Sequence, residues 1–155
     1  MPHLTWQTTD QGDYFPQLKV LMEKQRSTCL PAPLLLDVNQ PVWPIRQCEF
    51  IFTANTLHIM SWQSVKKLFN GIQRSLQPAG DFCIYGPFNY AGKYTSSSNE
   101  AFAMRLKENN PSSGIRDIEK IISLADGAEL ELIVDYAMPA NNRLLHFRKN
   151  SVQAL

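Results

Sequence analysis

The chain has 155 residues, enough for one domain with one core and too few for two ordinary ones. Apolar residues make up 44% and charged residues 19%, the balance of a soluble globular protein and not of a disordered chain. A formal charge of +1 with no dense Lys/Arg stripe argues against nucleic acid or anionic lipid as partners, and no apolar run approaches the length of a membrane span.

The elements alternate between strand and helix, which predicts α/β architecture. Leu4, Trp6 and Thr8 alternate with Thr5, Gln7 and Thr9 as in a strand that ends at Asp10. From Asp13 to Arg26, Phe15, Leu18, Leu21 and Met22 mark one face of a helix, with Pro16 in its first turn. The wholly apolar run Leu34 to Leu36 predicts a strand buried on both faces, hence a parallel sheet, and the proline-broken "QPVWPIRQ" is a loop. Cys48 to Ala54 is a second buried strand, ending at Asn55. Ser61 is placed to cap a helix whose stripe runs through Trp62, Val65, Leu68, Phe69, Ile72 and Leu76, stopped by Pro78 and Gly80.

A strand "FCIYGPF" follows, then a polar, Ser-rich connection read as a mobile lid, leading to Ser98 as the cap of a helix with Phe102 and Leu106. After the break "NNPSSG", Ile118, Ile121, Ile122 and Ala125 define an amphipathic helix closed by Gly127. "ELELIVDYAM" and "RLLHFRK", joined by the turn "PANN", predict a terminal antiparallel pair, with a frayed tail from Asn150. One domain over residues 1–149 with a tail at 150–155 is expected.

Polar residues stand at three strand ends: Asp10, Asp37, and Asn55 with His58 just beyond. In open α/β sheets the ligand binds outside the carboxyl ends of the strands. There Asp10 would accept from ribose hydroxyls, and Asp37 from the exocyclic amine of an adenine beside the Val38 amide. Asn55 and His58 would floor the reacting group. Each has a structural reading beside the functional one, since Asp after a strand is also a common turn residue and a single His is often a hydrogen-bonded core group. "MPANN" is read first as a hairpin turn.

Other chemistry is not signalled. The sequence has no G-x-G, no Walker loop and no nucleophile elbow, and a glycine-rich loop would normally lie about 20 residues ahead of an acid such as Asp10. His3, His58 and His146 lack metal-site spacing. Cys29, Cys48 and Cys83 are scattered, and with no signal peptide ahead of the first strand they point to a reduced, intracellular, cytoplasmic setting.

Taken in order, "LDV", "NTLHIMSW", "YGPF", "SNEAF", "GIRDIE" and "MPANN" resemble the methyltransferase-like 26 group, small S-adenosylmethionine-dependent methyltransferase-like proteins of poorly defined function. "LQPAGDF" is similar to the L-x-P-G-G-x-L turn before the fifth strand of Rossmann-like methyltransferases, with Ala79 for the first Gly. The resemblance implies a Rossmann-like methyltransferase sheet with a terminal antiparallel hairpin and S-adenosylmethionine as cofactor. It puts Asp10 at the ribose, Asp37 and Val38 at the adenine, and Asn55 with His58 at the methyl-bearing sulfonium. His58 becomes the candidate base or acceptor-orienting group, while Tyr85, Asn99, Arg116 and Asn142 border the acceptor pocket.

The sequence departs from the group at Asn110 and Ser113. It also begins at "PHLTWQ", which in the group follows a first strand, a glycine-rich loop and a first helix, so a shortened form is expected. Such a form would bind the cofactor weakly or not at all, and would associate with itself or pair with a full-length copy. The expected activity is methyl transfer to a small or unknown acceptor. The competing reading, from another class, is a non-catalytic interaction protein built on the same fold. A third, weaker for want of a phosphate loop, is a binding module for another adenosine ligand.

Overall fold

A computed structural model describes residues 4–25 and 27–151. Arg26 and the last four residues of the expected tail lie outside the described residues. The chain divides into two compact units, Met1–Ile45 and Arg46–Leu155.

In the first unit, strands β1 (Thr9–Asp10) and β2 (Leu34–Leu35) are parallel, with Thr9 opposite Leu34 and Asp10 opposite Leu35. A 3-10 turn (Gly12–Tyr14) leads into helix α1 (Phe15–Lys24), with Pro16 in the first turn, where a missing amide costs nothing. Both strands are shorter than their sequence patterns predict. Ahead of the ladder, the Trp6 amide donates to Cys29 O at 2.8 Å and Thr8 O accepts from the Leu34 amide at 3.0 Å, while regular pairing begins at Thr9; Leu35 is 55% exposed where burial on both faces is expected. Leu18 and Met22 are half-buried and Leu21 is exposed; Val38 is the one fully buried apolar side chain among the described residues of this unit.

The second unit holds the core. Strands β3 (Cys48–Ala54), β4 (Leu76–Gly86), β7 (Leu130–Met138) and β8 (Asn142–Lys149) form a mixed sheet in the order β3-β4-β8-β7. The β3 and β4 strands are parallel, while β8 is antiparallel to both its neighbours. Side chains alternate along β4, with Phe82 and Ile84 buried and Asp81, Cys83 and Tyr85 half-buried.

Helices α2 (Trp62–Ser75) and α4 (Ile118–Gly127) supply Val65, Phe69, Ile72, Ile121 and Ala125 to the same core, with Leu145 and Phe147 of β8. The Phe69 ring meets Phe82 edge-on at 5.8 Å, and Phe82 stacks on Phe147 at 6.2 Å. Helix α3 (Ser97–Asn109) adds a satellite cluster of Ala103, Leu106 and Ile115. A two-residue parallel pair, β5 (Phe88–Asn89) and β6 (Arg116–Asp117), completes the unit.

Three boundaries differ from the sequence pattern. Leu76 is the first residue of β4 and not the last of α2; its burial fits either periodicity, so the pattern alone could not separate them. The cap of α3 is Ser96, whose hydroxyl accepts from the Asn99 amide at 3.1 Å, two residues ahead of Ser98. Pro87 interrupts the expected strand "FCIYGPF", leaving Phe88 to pair with Arg116. Ser61 does cap α2, accepting from the Ser64 amide at 3.1 Å.

Candidate functional site

In the first unit, Asp10 ends β1 and Asp37 lies two residues past β2, so both follow the carboxyl ends of a parallel pair. Asp10 Oδ1 accepts from the Gln11 amide at 2.8 Å, and among the described residues its Oδ2 accepts from nothing. Asp37 Oδ1 accepts from the Asn39 amide and from Asn39 Nδ2, both at 2.9 Å, and its carbonyl accepts from the Gln40 amide. These are turn-forming bonds, the structural role the sequence left open. Val38 is buried directly behind Asp37.

In the second unit, the carboxyl ends of β3 and β4 carry Asn55, Tyr85 and Gly86. Asn55 takes a left-handed backbone (φ 57°), a conformation Asn tolerates better than most residues, and its amide donates to Tyr85 O at 2.8 Å. A methyl placed on Gly86 would sit 3.7 Å from Asn55 Oδ1 and 3.8 Å from His58 Nδ1, so both polar groups lie against this glycine.

His58 is 6% exposed and its ring meets Phe102 of α3 edge-on at 5.2 Å. Among the described residues its imidazole forms no hydrogen bond. Burial, helped by the charge of Arg116, lowers its proton affinity below the ordinary histidine value, so the ring stays neutral at pH 7.

Asn142 Nδ2 donates to the Tyr85 hydroxyl at 3.1 Å across β4 and β8. Asn99, buried at the start of α3, donates to Thr95 Oγ1 at 2.8 Å and to Asn141 O at 3.2 Å, tying the helix to the β7–β8 turn. That turn is left-handed at both Ala140 (φ 58°) and Asn141 (φ 58°), a strained geometry held from outside by Asn99 and by the bond of Asn141 Nδ2 to Ser98 Oγ. Arg116 donates from Nε to Leu57 O at 3.1 Å and from Nη2 to Met60 O and, at 3.1 Å, to Ser112 O, with its guanidinium 5.9 Å from the Trp62 ring.

Two contacts escaped the sequence reading. Ser113, where the sequence departs from the resembling group, is buried and donates to Ile59 O at 3.0 Å. The Tyr90 hydroxyl donates to Asp135 Oδ2 at 2.6 Å, with Arg143 on the other carboxylate oxygen at 2.7 Å and over the Tyr90 ring. Nothing in the spacing of Tyr90, Asp135 and Arg143 signals that they meet.

The family described as "Protein of unknown function (DUF938)" matches residues 1–149. The chain belongs to the DUF938 family. This DUF938 chain is also similar to solved structures. The mitomycin 7-O-methyltransferase MmcR matches with a TM-score of 0.79 at 11% identity, over 96% of this chain and 43% of that one. An O-methyltransferase family protein from Burkholderia thailandensis matches at 0.76 and 12%, over 98% and 46%. OxaC, solved in complex with SAH and oxaline, matches at 0.76 and 12%, over 94% and 36%. The DUF938 chain therefore has a methyltransferase-like fold, and it spans less than half the length of these neighbours. No helix among its described residues is long and apolar enough to cross a membrane.

Proposed function

We propose that this chain is a methyltransferase-type protein of the methyltransferase-like 26 kind, using S-adenosylmethionine and a small acceptor bearing a labile proton. The observation that carries the reading is that in each unit polar residues stand at or just past the carboxyl ends of a parallel pair, Asp10 and Asp37 in the first and Asn55 and His58 in the second. Asp10 fits the ribose end of the cofactor, because its Oδ2 is available to a pair of hydroxyls. Asp37 and Val38 hold the adenine.

Bound S-adenosylmethionine supplies a methyl group already activated on a sulfonium, so the chain's part is alignment and exclusion of water. Asn55 faces that methyl. Tyr85, Asn99 and Asn142 border the acceptor, with Arg116 in the wall behind them. His58, neutral and without a hydrogen-bond partner among the described residues, takes the proton that the acceptor loses as its new bond to the methyl forms.

The 155 residues contain no glycine-rich loop for the amino-acid end of the cofactor. Each missing hydrogen bond to that charged end costs about 1.5–3 kcal/mol. This stretch alone is therefore expected to bind more weakly than about 1 μM. Titration with S-adenosylhomocysteine, followed by amide NMR, tests the reading. The Gln11 and Val38 amides are expected to shift, and Asp10→Asn or Asp37→Asn to weaken binding about tenfold. Shifts confined to residues far from these strand ends, or equal binding by both variants, would sink it.

A further inference from the structure

Four consecutive carbonyl oxygens after β3 accept hydrogen bonds from one short stretch ahead of α4. Leu57 O accepts from Arg116 Nε, His58 O from the Gly114 amide at 2.8 Å, Ile59 O from the Ser113 hydroxyl, and Met60 O from Arg116 Nη2. The same guanidinium reaches Ser112 O and lies over Trp62 at the start of α2. The fixed fork of an Arg makes these bonds together, which the point charge of a Lys does not. Among the described residues no carboxylate pairs with Arg116, so its charge is left to act on its surroundings.

We propose that Ser113, Gly114 and Arg116 form a clasp that fixes the His58 loop, and that Arg116 is a positioning residue acting through His58 instead of a group that meets the acceptor. Around the imidazole are Phe102 from α3, Gly86 from the end of β4 and Asn55 from its own loop; Arg116 is the charged group whose field reaches it. That field adds to burial in keeping the ring unprotonated. The clasp stands on hydrogen bonds alone, and only its catalytic meaning rests on the reading of His58 as proton acceptor.

The test uses the full chain and the variants Arg116→Gln, Arg116→Lys and Ser113→Ala. It measures the NMR titration of the His58 ring and hydrogen exchange at the Gly114 amide. Arg116→Gln is expected to move the His58 titration upward and to speed Gly114 exchange about tenfold, the loss of a hydrogen bond to a charged group. Arg116→Lys keeps the charge but not the fork, so exchange rises while the titration stays near wild type. Ser113→Ala raises exchange alone.

A His58 titration that stays put in Arg116→Gln, or moves equally in the Lys variant, overturns the positioning role. Should Arg116→Gln not fold, unchanged Gly114 exchange in both other variants overturns the clasp. Absence of S-adenosylhomocysteine binding by a longer chain carrying a glycine-rich strand–loop–helix segment would instead count against the methyltransferase reading and leave the clasp standing.

Discussion

A neutral imidazole held where a proton is unwelcome leaves a mark on stability. In the folded chain the His58 proton affinity lies below the ordinary value near 6.5. As pH falls through about 6.5 the unfolded chain takes up the proton first, so stability drops until the folded value is passed and then levels. His58→Gln should flatten that slope in denaturant melts run from about pH 8 to about pH 5. Asp81 works in the opposite titration range. The hydrogen bonds of Arg148 and then of His146 hold its carboxyl below the usual range, with partial burial opposing them. Its stabilisation is present above about pH 4 and is lost as pH falls through the lowered value, a loss that Asp81→Asn should remove from the acid limb of the melt. The "LQPAGDF" turn shows how much one residue can make legible. Ala79 stands where the resembling motif has Gly, and its backbone is left-handed (φ 60°). A methyl on Gly80 would lie 2.9 Å from the carbonyl oxygens of Gln77 and Glu49. Ala79→Gly is expected to gain up to ~1 kcal/mol, and Gly80→Ala to lose about 1–3 kcal/mol, in urea melts.

The elements that were easiest to read are those whose own residues decide them. The α2 stripe and its Ser61 cap needed no partner to be recognised, and Ser61→Ala should cost about 1 kcal/mol. The connection from Asn89 to Ser97, expected to be a mobile lid, is instead anchored. Tyr90 and Lys93 exchange backbone hydrogen bonds, the Ala91 amide donates to Glu119 Oε1 at 2.8 Å, and the Tyr90 hydroxyl is held by Asp135. Its polarity hid this, because the partners of the Ala91 amide and the Tyr90 hydroxyl lie 28 and 45 residues away in sequence. The Ala91 amide should therefore exchange slowly without ligand, and Glu119→Gln should speed it up by weakening a charge-assisted bond. The expected fraying of the tail likewise gives way at Asn150, whose amide donates to Glu129 O at 2.8 Å.

For the molecule as a whole, alternating strands and helices and the closing β7–β8 pair were legible because period and turn chemistry are local signals. The clasp was not. The sequence reading put His58 at the sulfonium and Arg116 at the acceptor pocket as separate motifs, and only the fold brings four carbonyls of "LHIM" to the donors of "SGIR". The division into Met1–Ile45 and Arg46–Leu155 falls within the proline-broken "QPVWPIRQ", which the sequence marks as a loop without marking it as a boundary. Asp10 and Asp37 lie in the first unit and His58 in the second. Calorimetric titration of S-adenosylhomocysteine puts the proposed function to the most direct test, into the 155-residue chain and into a longer chain with a glycine-rich strand–loop–helix segment ahead of Leu4. Binding weaker than about 1 μM by the first, tighter binding by the second, and about a tenfold loss on Asp10→Asn in the longer chain are the predicted results. No binding by the longer chain, or binding indifferent to Asp10, would contradict the account.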